Sequence, residues 1–191
     1  MTMTRARDIA NFGDGIDTAD IGDGQITAAK LASGAITSAA LPAGSVLQVV
    51  SDNFTSVFSA AMRNNEVEDF TGVSLSITPS STSSKILLLA SISYSVDSVS
   101  YPGLALISFR RGATDLGEYI CSFGNVADDT SAIGNLSITE LDSPNTTSSV
   151  TYQLQGQQQI TSGSDTTVYI NAIRNGSNLG ESRITLLEIA G

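Results

Sequence analysis

Residues 16–44 repeat with a period of ten. Apolar residues stand at Ile16, Ile21, Ile26, Leu31, Ile36 and Leu41, and glycine returns at Gly24, Gly34 and Gly44. A spacing of five is about 140° around an α-helix and opposite faces on a strand, so neither regular element keeps these residues together. A broken unit does. Asp17, Thr27 and Thr37 follow the first isoleucine of each copy and are natural N-caps. The isoleucine before the cap and the apolar residue five positions later then form a hydrophobic staple. The glycine ends the turn in left-handed geometry. Each copy therefore reads as an extended residue, a cap, one turn of helix and a reversal. One turn of helix is not stable alone, and three small units cannot bury a core. The stapled residues need neighbouring chains, and a trimer around a threefold axis is the simplest closed solution. The competing reading, a flexible Ala/Gly/Ser/Thr linker, leaves the shared register unexplained.

From Val46 onward the pattern changes to period two. Val73, Leu75 and Ile77 alternate with Ser74, Ser76 and Thr78. Ile86, Leu88, Ala90, Ile92, Tyr94 and Val96 give a long strand whose other face carries Leu87 and Leu89 before turning polar. Val150, Tyr152 and Leu154 alternate with Thr151, Gln153 and Gln155. These are half-buried strands. Further strands are expected at Val46–Val50, Leu104–Arg110, Leu116–Cys121, Ile133–Thr139, Thr167–Ile173 and Arg183–Ile189. Residues 51–66 are ambiguous, and Phe54–Asn64 fits a strand or a short helix. Turn chemistry at Thr78-Pro79, Tyr101-Pro102-Gly103, Arg111-Gly112, Asp142-Ser143-Pro144-Asn145 and Asn175-Gly176 separates the strands. Short strands without βαβ alternation argue an antiparallel β-sandwich or jelly roll. The fold class expected is mainly β: a repeat stalk of short capped turns, then the sandwich, in a homotrimer.

Charge narrows the function. Charged residues are 15% of the chain, the net charge is −10, and the lysines are Lys30 and Lys85. No basic stripe exists to neutralise phosphates, which argues against a nucleic-acid partner. An anionic membrane would repel the chain. The longest apolar run, Ile86–Ala90, is far shorter than the roughly 20 residues that span a bilayer, so no membrane insertion is expected. Residues 1–8 lack the apolar core of a signal peptide, so synthesis in a cytoplasm is expected. Cys121 is alone and cannot form an intrachain disulfide. Its neighbours Tyr119 and Ile120 favour a buried small hydrophobe over a reactive thiol.

The residues for catalysis are sparse. There is no histidine, which removes the commonest general base and most zinc sites. Gly13-Asp14-Gly15 and Gly22-Asp23-Gly24 follow no strand and read as turns rather than phosphate cradles. Glu66, Glu68 and Asp69 form one acidic group and Asp128 with Asp129 another. Paired carboxylates can hydrolyse glycosides, but these fall in expected loops and read as solvated surface. A calcium ion at Asp128–Asp129 is a weaker reading. No enzyme, cofactor or metal is expected.

Three segments carry a family resemblance: Gly44-Ser45-Val46-Leu47-Gln48-Val49-Val50; Leu141-Asp142-Ser143-Pro144-Asn145 through Tyr152; and Val168-Tyr169-Ile170-Asn171 with Ile184-Thr185-Leu186-Leu187-Glu188-Ile189-Ala190. With the repeats, they resemble fibre-like virion structural proteins of marine and cyanobacterial tailed phages. The resemblance implies a tumour-necrosis-factor-like jelly roll that assembles as a homotrimer. It implies an N-terminal particle anchor over residues 1–15 that docks on other virion proteins, a stalk over 16–44 and a knob over 45–191. Tyr152 and Tyr169 would then line the threefold interface; half-buried strand tyrosines with solvated hydroxyls explain them equally well. In a jelly roll the end loops carry recognition, so Tyr101, Asn125, Asn145, Gln157 and Asn178 are candidates for a host-surface glycan, although ordinary turns also account for each. The expected role is a trimeric tail fibre in the virion, with host attachment at the knob. A capsid decoration or head-fibre protein is the alternative. A carbohydrate-binding module ranks lower, because the chain has no tryptophan.

Overall fold

The computed structural model describes residues 21–33, 35–37, 40–62, 66–96, 104–122, 132–159, 166–173, 176–178 and 180–191. The chain divides into two units, Met1–Leu41 and Pro42–Gly191. The first contains a short 3-10 turn at Ala28–Lys30. The second contains ten strands: β1 (Val46–Phe54), β2 (Phe58–Met62), β3 (Val67–Ile77), β4 (Lys85–Val96), β5 (Leu104–Arg111), β6 (Thr114–Ser122), β7 (Ala132–Asp142), β8 (Val150–Gln159), β9 (Thr166–Ile170) and β10 (Ser182–Ile189).

The strands form two antiparallel sheets. In the first, β4 pairs along its whole length with β7. On its other side it pairs with β10 over Lys85–Ser91 and with β9 over Tyr94–Val96. Thus β9 and β10 lie end to end, and β1 and β2 lie end to end beyond them. The second sheet has the order β3-β8-β5-β6. Counting each broken pair as one strand leaves eight, and the chain visits the sheets in the order first, second, first, second, second, first, second, first. That is the path of a jelly roll. The mainly-β, antiparallel sandwich expected from the alternation is therefore the fold of the larger unit.

The core lies between the sheets. Ile86, Leu88 and Ile92 of β4 and Ile184 and Leu186 of β10 meet Phe70, Phe109, Tyr152 and Leu154 of the second sheet, all essentially inaccessible. Each such side chain contributes about 1.5–3 kcal/mol on burial. Close approach at one point demands glycine. The ring of Phe58 lies over Gly72, where a Cβ would stand 1.6 Å from Phe58 Cε1. The pairing of β3 with β8 shifts register just there, between Asp69 and Ser74.

Several expectations are corrected. The strand expected at Thr167–Ile173 ends at Ile170, because Asn171 takes a positive φ of 62°. Asparagine tolerates that geometry, and here its side chain mends the breaks in two strands. Asn171 Nδ2 donates to the carbonyls of Phe54 (2.6 Å) and Ser56 (3.0 Å), in the gap between β1 and β2. Asn171 Oδ1 accepts from Ser182 Oγ at 2.7 Å, and Ser182 opens β10. Of the two readings left open for residues 51–66, strand is the one found over the described part, which holds the end of β1 and all of β2. Glu68 and Asp69 lie in β3 rather than a loop.

Candidate interaction surface

In the repeat segment the backbone closes a turn every five residues. The N–H groups of Gln25, Lys30, Ala35, Ala40 and Ser45 donate to the carbonyls of Gly22, Thr27, Ala32, Thr37 and Pro42, at 2.9–3.2 Å. Each acceptor directly follows one of the apolar residues Ile21, Ile26, Leu31, Ile36 and Leu41. The bonds span three residues, so these are single tight turns rather than α-helical ones. The hydrogen bond recurs every five residues but the turn type alternates, a glycine-reversed turn at 22–25 and 42–45 and a 3-10 turn at Ala28–Lys30, so the backbone repeats every ten, as the identities do. Gly24 and Gly44 take positive φ values of 74° and 87°, as a reversal requires. The five apolar residues are exposed at 38–58%. Ile16 lies outside the described residues.

The outer face of the first sheet carries a second apolar feature. Register places Val49 opposite Leu187, Leu187 opposite Leu87, and Leu87 opposite Leu141. The four side chains form one row across β1, β10, β4 and β7. Val49 and Leu141 at its ends are exposed at 56% and 57%. The next row is Ser51, Thr185, Leu89 and Thr139, followed by Asn53, Arg183, Ser91 and Ser137. Leu89, Ser91, Ser137, Thr139, Arg183 and Thr185 line a shallow open depression of about 280 Å³. Arg183 Nε donates to Asn53 Oδ1 at 2.6 Å, and its Nη2 lies 3.8 Å from Glu181.

The sequence candidates fall in different places. Tyr152 cannot face a neighbouring chain, for it is fully buried between the sheets. Its hydroxyl donates to Asp142 Oδ2 at 2.8 Å. Arg111 grips the same carboxylate, Nε to Oδ2 at 2.6 Å and Nη2 to Oδ1 at 3.2 Å. Burial, then the hydrogen bond to Asp142, pushes the Tyr152 hydroxyl far above its ordinary range. The hydrogen bond to Asp142 holds the Arg111 guanidinium above its ordinary value despite burial. Since Asp142 ends β7 and the other two lie on β5 and β8, the cluster pins one sheet to the other.

Tyr169 is half-buried and shares the register of the first sheet's outer face, opposite Ser59 and Ser95. Asn145 is exposed after β7 with φ 52°, its Nδ2 donating to Ser143 O at 2.9 Å, a turn-building role. Gln157 is not in a loop: it lies half-buried within β8, between Val67 and Leu106. Asn178 braces the excursion between β9 and β10, donating to Thr55 O at 3.4 Å and accepting from Gly180 N at 2.7 Å. Tyr101, Asn125, Asp128 and Asp129 lie outside the described residues.

One buried acid escaped the sequence reading. Glu188 is 1% exposed. Its Oε1 accepts from Ser80 N (2.7 Å), Ser80 Oγ (2.7 Å) and Ser84 Oγ (2.6 Å), and its Oε2 from Gln48 Nε2 (2.6 Å). Burial raises its pKa, but the hydrogen bonds from Ser84, Ser80 and Gln48 outweigh it and hold the carboxyl below the ordinary glutamate value. Among the described residues, no three His, Cys, Asp or Glu side chains are grouped to hold a metal ion, and no helix is long and apolar enough to cross a membrane.

The fold and this surface define the larger unit as a jelly-roll sandwich with a mostly uncharged, partly apolar outer face. No protein-family model matches the sequence, and no well-characterised protein is similar to it in sequence. Among solved structures, that of infectious bursal disease virus, Gt strain, is similar over 77% of this chain and 39% of that one, with 8% identity and a TM-score of 0.39. The Gx strain of that virus is similar over 76% of this chain and 41% of that one, with 10% identity and a TM-score of 0.37. This chain spans about two fifths of the length of those chains. Similarity of that degree carries no argument about function.

Proposed function

We propose that this chain is a structural component of a phage particle, a homotrimeric fibre. Residues 1–15 dock on other virion proteins, residues 16–44 form the stalk, and the sandwich is presented as a knob for host attachment. The observation that carries the reading is the five-residue ladder. An isolated chain leaves Ile21, Ile26, Leu31, Ile36 and Leu41 in water with no core of their own, and bringing parallel copies together removes that cost. The resemblance of the repeats and strand sequences to phage fibre proteins points the same way.

Light scattering on the full chain tests the assembly. The expected mass is three times the 19.8 kDa of one chain, and it should collapse toward one chain in the variant Ile26→Asp/Ile36→Asp. A monomer at all concentrations overturns the trimer. Labelling the N-terminus and imaging intact particles tests the location. Label at the tail is the expected result, and label spread over the capsid replaces the fibre with a decoration protein.

A further inference from the structure

We propose that Asp23 and Gly24 form a site of spontaneous backbone isomerisation, at which the aspartyl residue converts through a cyclic imide to isoaspartyl. The chemistry belongs to a single chain and does not rest on the assembly proposed above.

The reaction needs a carboxyl one methylene from the main chain, a following residue without a Cβ, and a backbone nitrogen free to attack. Among the described residues, aspartate stands at Asp23, Asp52, Asp69, Asp115 and Asp142, followed by Gly24, Asn53, Phe70, Leu116 and Ser143. Of these, Asp23 alone precedes glycine. A residue with no Cβ lets its nitrogen turn toward the neighbouring side chain without steric cost. Asp23 and Gly24 are both exposed, and a Cβ on Gly24 would meet nothing within 4 Å, so the ring has room to close.

The fold supplies the nitrogen. The turn over 22–25 is closed by Gln25 N–H donating to Gly22 O at 3.1 Å. Gly24 holds the third place of that turn with φ 74°. The closing bond does not use its N–H, which has no partner among the described residues. The turn over 42–45 has the same form: Ser45 N–H donates to Pro42 O at 3.2 Å, and Gly44 has φ 87°. Two differences disarm it. Ala43 stands where Asp23 does, and Gly44 N–H donates to Ala190 O at 2.7 Å. Gly176, which follows Asn175, is engaged in the same way, its N–H donating to Ile173 O at 2.8 Å. A nitrogen whose hydrogen is held by a carbonyl must lose that bond before it attacks.

The steps balance with water alone. Gly24 N bonds to Asp23 Cγ. One carboxyl oxygen leaves as water, taking the amide hydrogen and the carboxyl proton, and a succinimide ring remains. Water then opens the ring. Addition at Cγ breaks the new bond and restores aspartate. Addition at the main-chain carbonyl breaks the original C–N bond and routes the chain through Cβ and Cγ. The product keeps the mass of the starting chain but has an extra carbon in its backbone. That carbon falls inside the hydrogen-bonded turn between the exposed residues Ile21 and Ile26, so isomerisation lengthens and loosens that step of the ladder.

The test stores the full chain at neutral pH and physiological temperature in oxygen-18 water. Peptide mapping with electron-transfer fragmentation separates isoaspartyl from aspartyl, and each ring opening leaves an oxygen-18 atom at the site. Label and isoaspartyl are expected at residue 23 about tenfold or more faster than at Asp115, which is exposed but held in β6 opposite Arg110 and followed by leucine. Asp23→Glu should abolish the label at that position, because the added methylene enlarges the ring. Labelling at residue 23 no faster than at Asp115 overturns the proposal. The Ala43→Asp variant separates the turn from the dipeptide, since it places a carboxyl before Gly44 in the matching turn. Its position 43 should label about tenfold more slowly than Asp23, the barrier set by the bond from Gly44 to Ala190. Equal rates at the two positions overturn the assignment to a free nitrogen in the turn over 22–25.

Discussion

The two sheets share one alternation of in and out, but their outer faces are finished differently. On the second sheet, Gln155 Nε2 donates to Ser108 Oγ (2.9 Å) and Asp115 Oδ1 (2.7 Å). Gln153 donates to the carbonyls of Phe70 and Val73 across the irregular part of β3, and Arg110 pairs with Asp69. Polar groups there close on one another within a single chain. The first sheet instead presents the Val49–Leu187–Leu87–Leu141 row, which has no such completion. Hydrogen bonds between neighbouring strands complete a surface locally, whereas apolar side chains pointing away from the core are completed only by something that covers them.

The comparison assumes that the sheets act as one body, and Asp142 is where that assumption breaks most visibly. Asp142→Ala leaves Arg111 and Tyr152 without their shared acceptor, and a loss of about 3–5 kcal/mol is expected. Chemical denaturation should record it as one cooperative transition at lower denaturant; two separated transitions would show that the sheets unfold independently. Gly72→Ala is expected to cost about 1–3 kcal/mol, because the ring of Phe58, from the first sheet, must leave its seat on the second. Adding Phe58→Leu should recover part of that loss in a double-mutant cycle.

The smallest effect, about 1–2 kcal/mol, is expected for Glu188→Gln at neutral pH, since an amide nitrogen would confront donors from Ser80, Ser84 or Gln48. Its pH dependence is the sharper readout. The hydrogen bonds hold the carboxyl of Glu188 below the ordinary glutamate value in the folded chain, so its contribution is full above the unfolded value and lost as pH falls through the folded one. The stability gap between wild type and variant should narrow on acidification below the ordinary glutamate range and stay constant above it. A gap that widens in acid contradicts the assignment.

Much of the fold was legible where polarity and register agree. Ile86 to Val96 reads as a strand because one face is apolar throughout and serine alternates with it from Ser91 on, and strands without βαβ alternation point to a sandwich. Gln157 was expected in an end loop, yet β8 continues through it: beside it the Gln155 amide finds partners on β5 and β6, and Gly156 admits Met62 beneath it. The phenol of Tyr152 suggested a wet position; only the fold brings Asp142 and Arg111 to it. Leu87 and Leu89 were visible as outward leucines. Their alignment with Val49, Leu141 and Leu187 was not, because it depends on three strand pairings that no local pattern encodes.

The turns before the sandwich have a consequence for length. Side-chain identities repeat every ten residues and so does the turn type, although a closing hydrogen bond recurs every five, from Gly22 to Pro42. Reach is therefore quantised in ten-residue steps, each adding no more than about 35 Å. Inserting or removing ten residues keeps every later turn in phase, whereas five would exchange a glycine-reversed turn for a 3-10 turn. The loss of one or two residues puts the later turns out of step with the earlier ones.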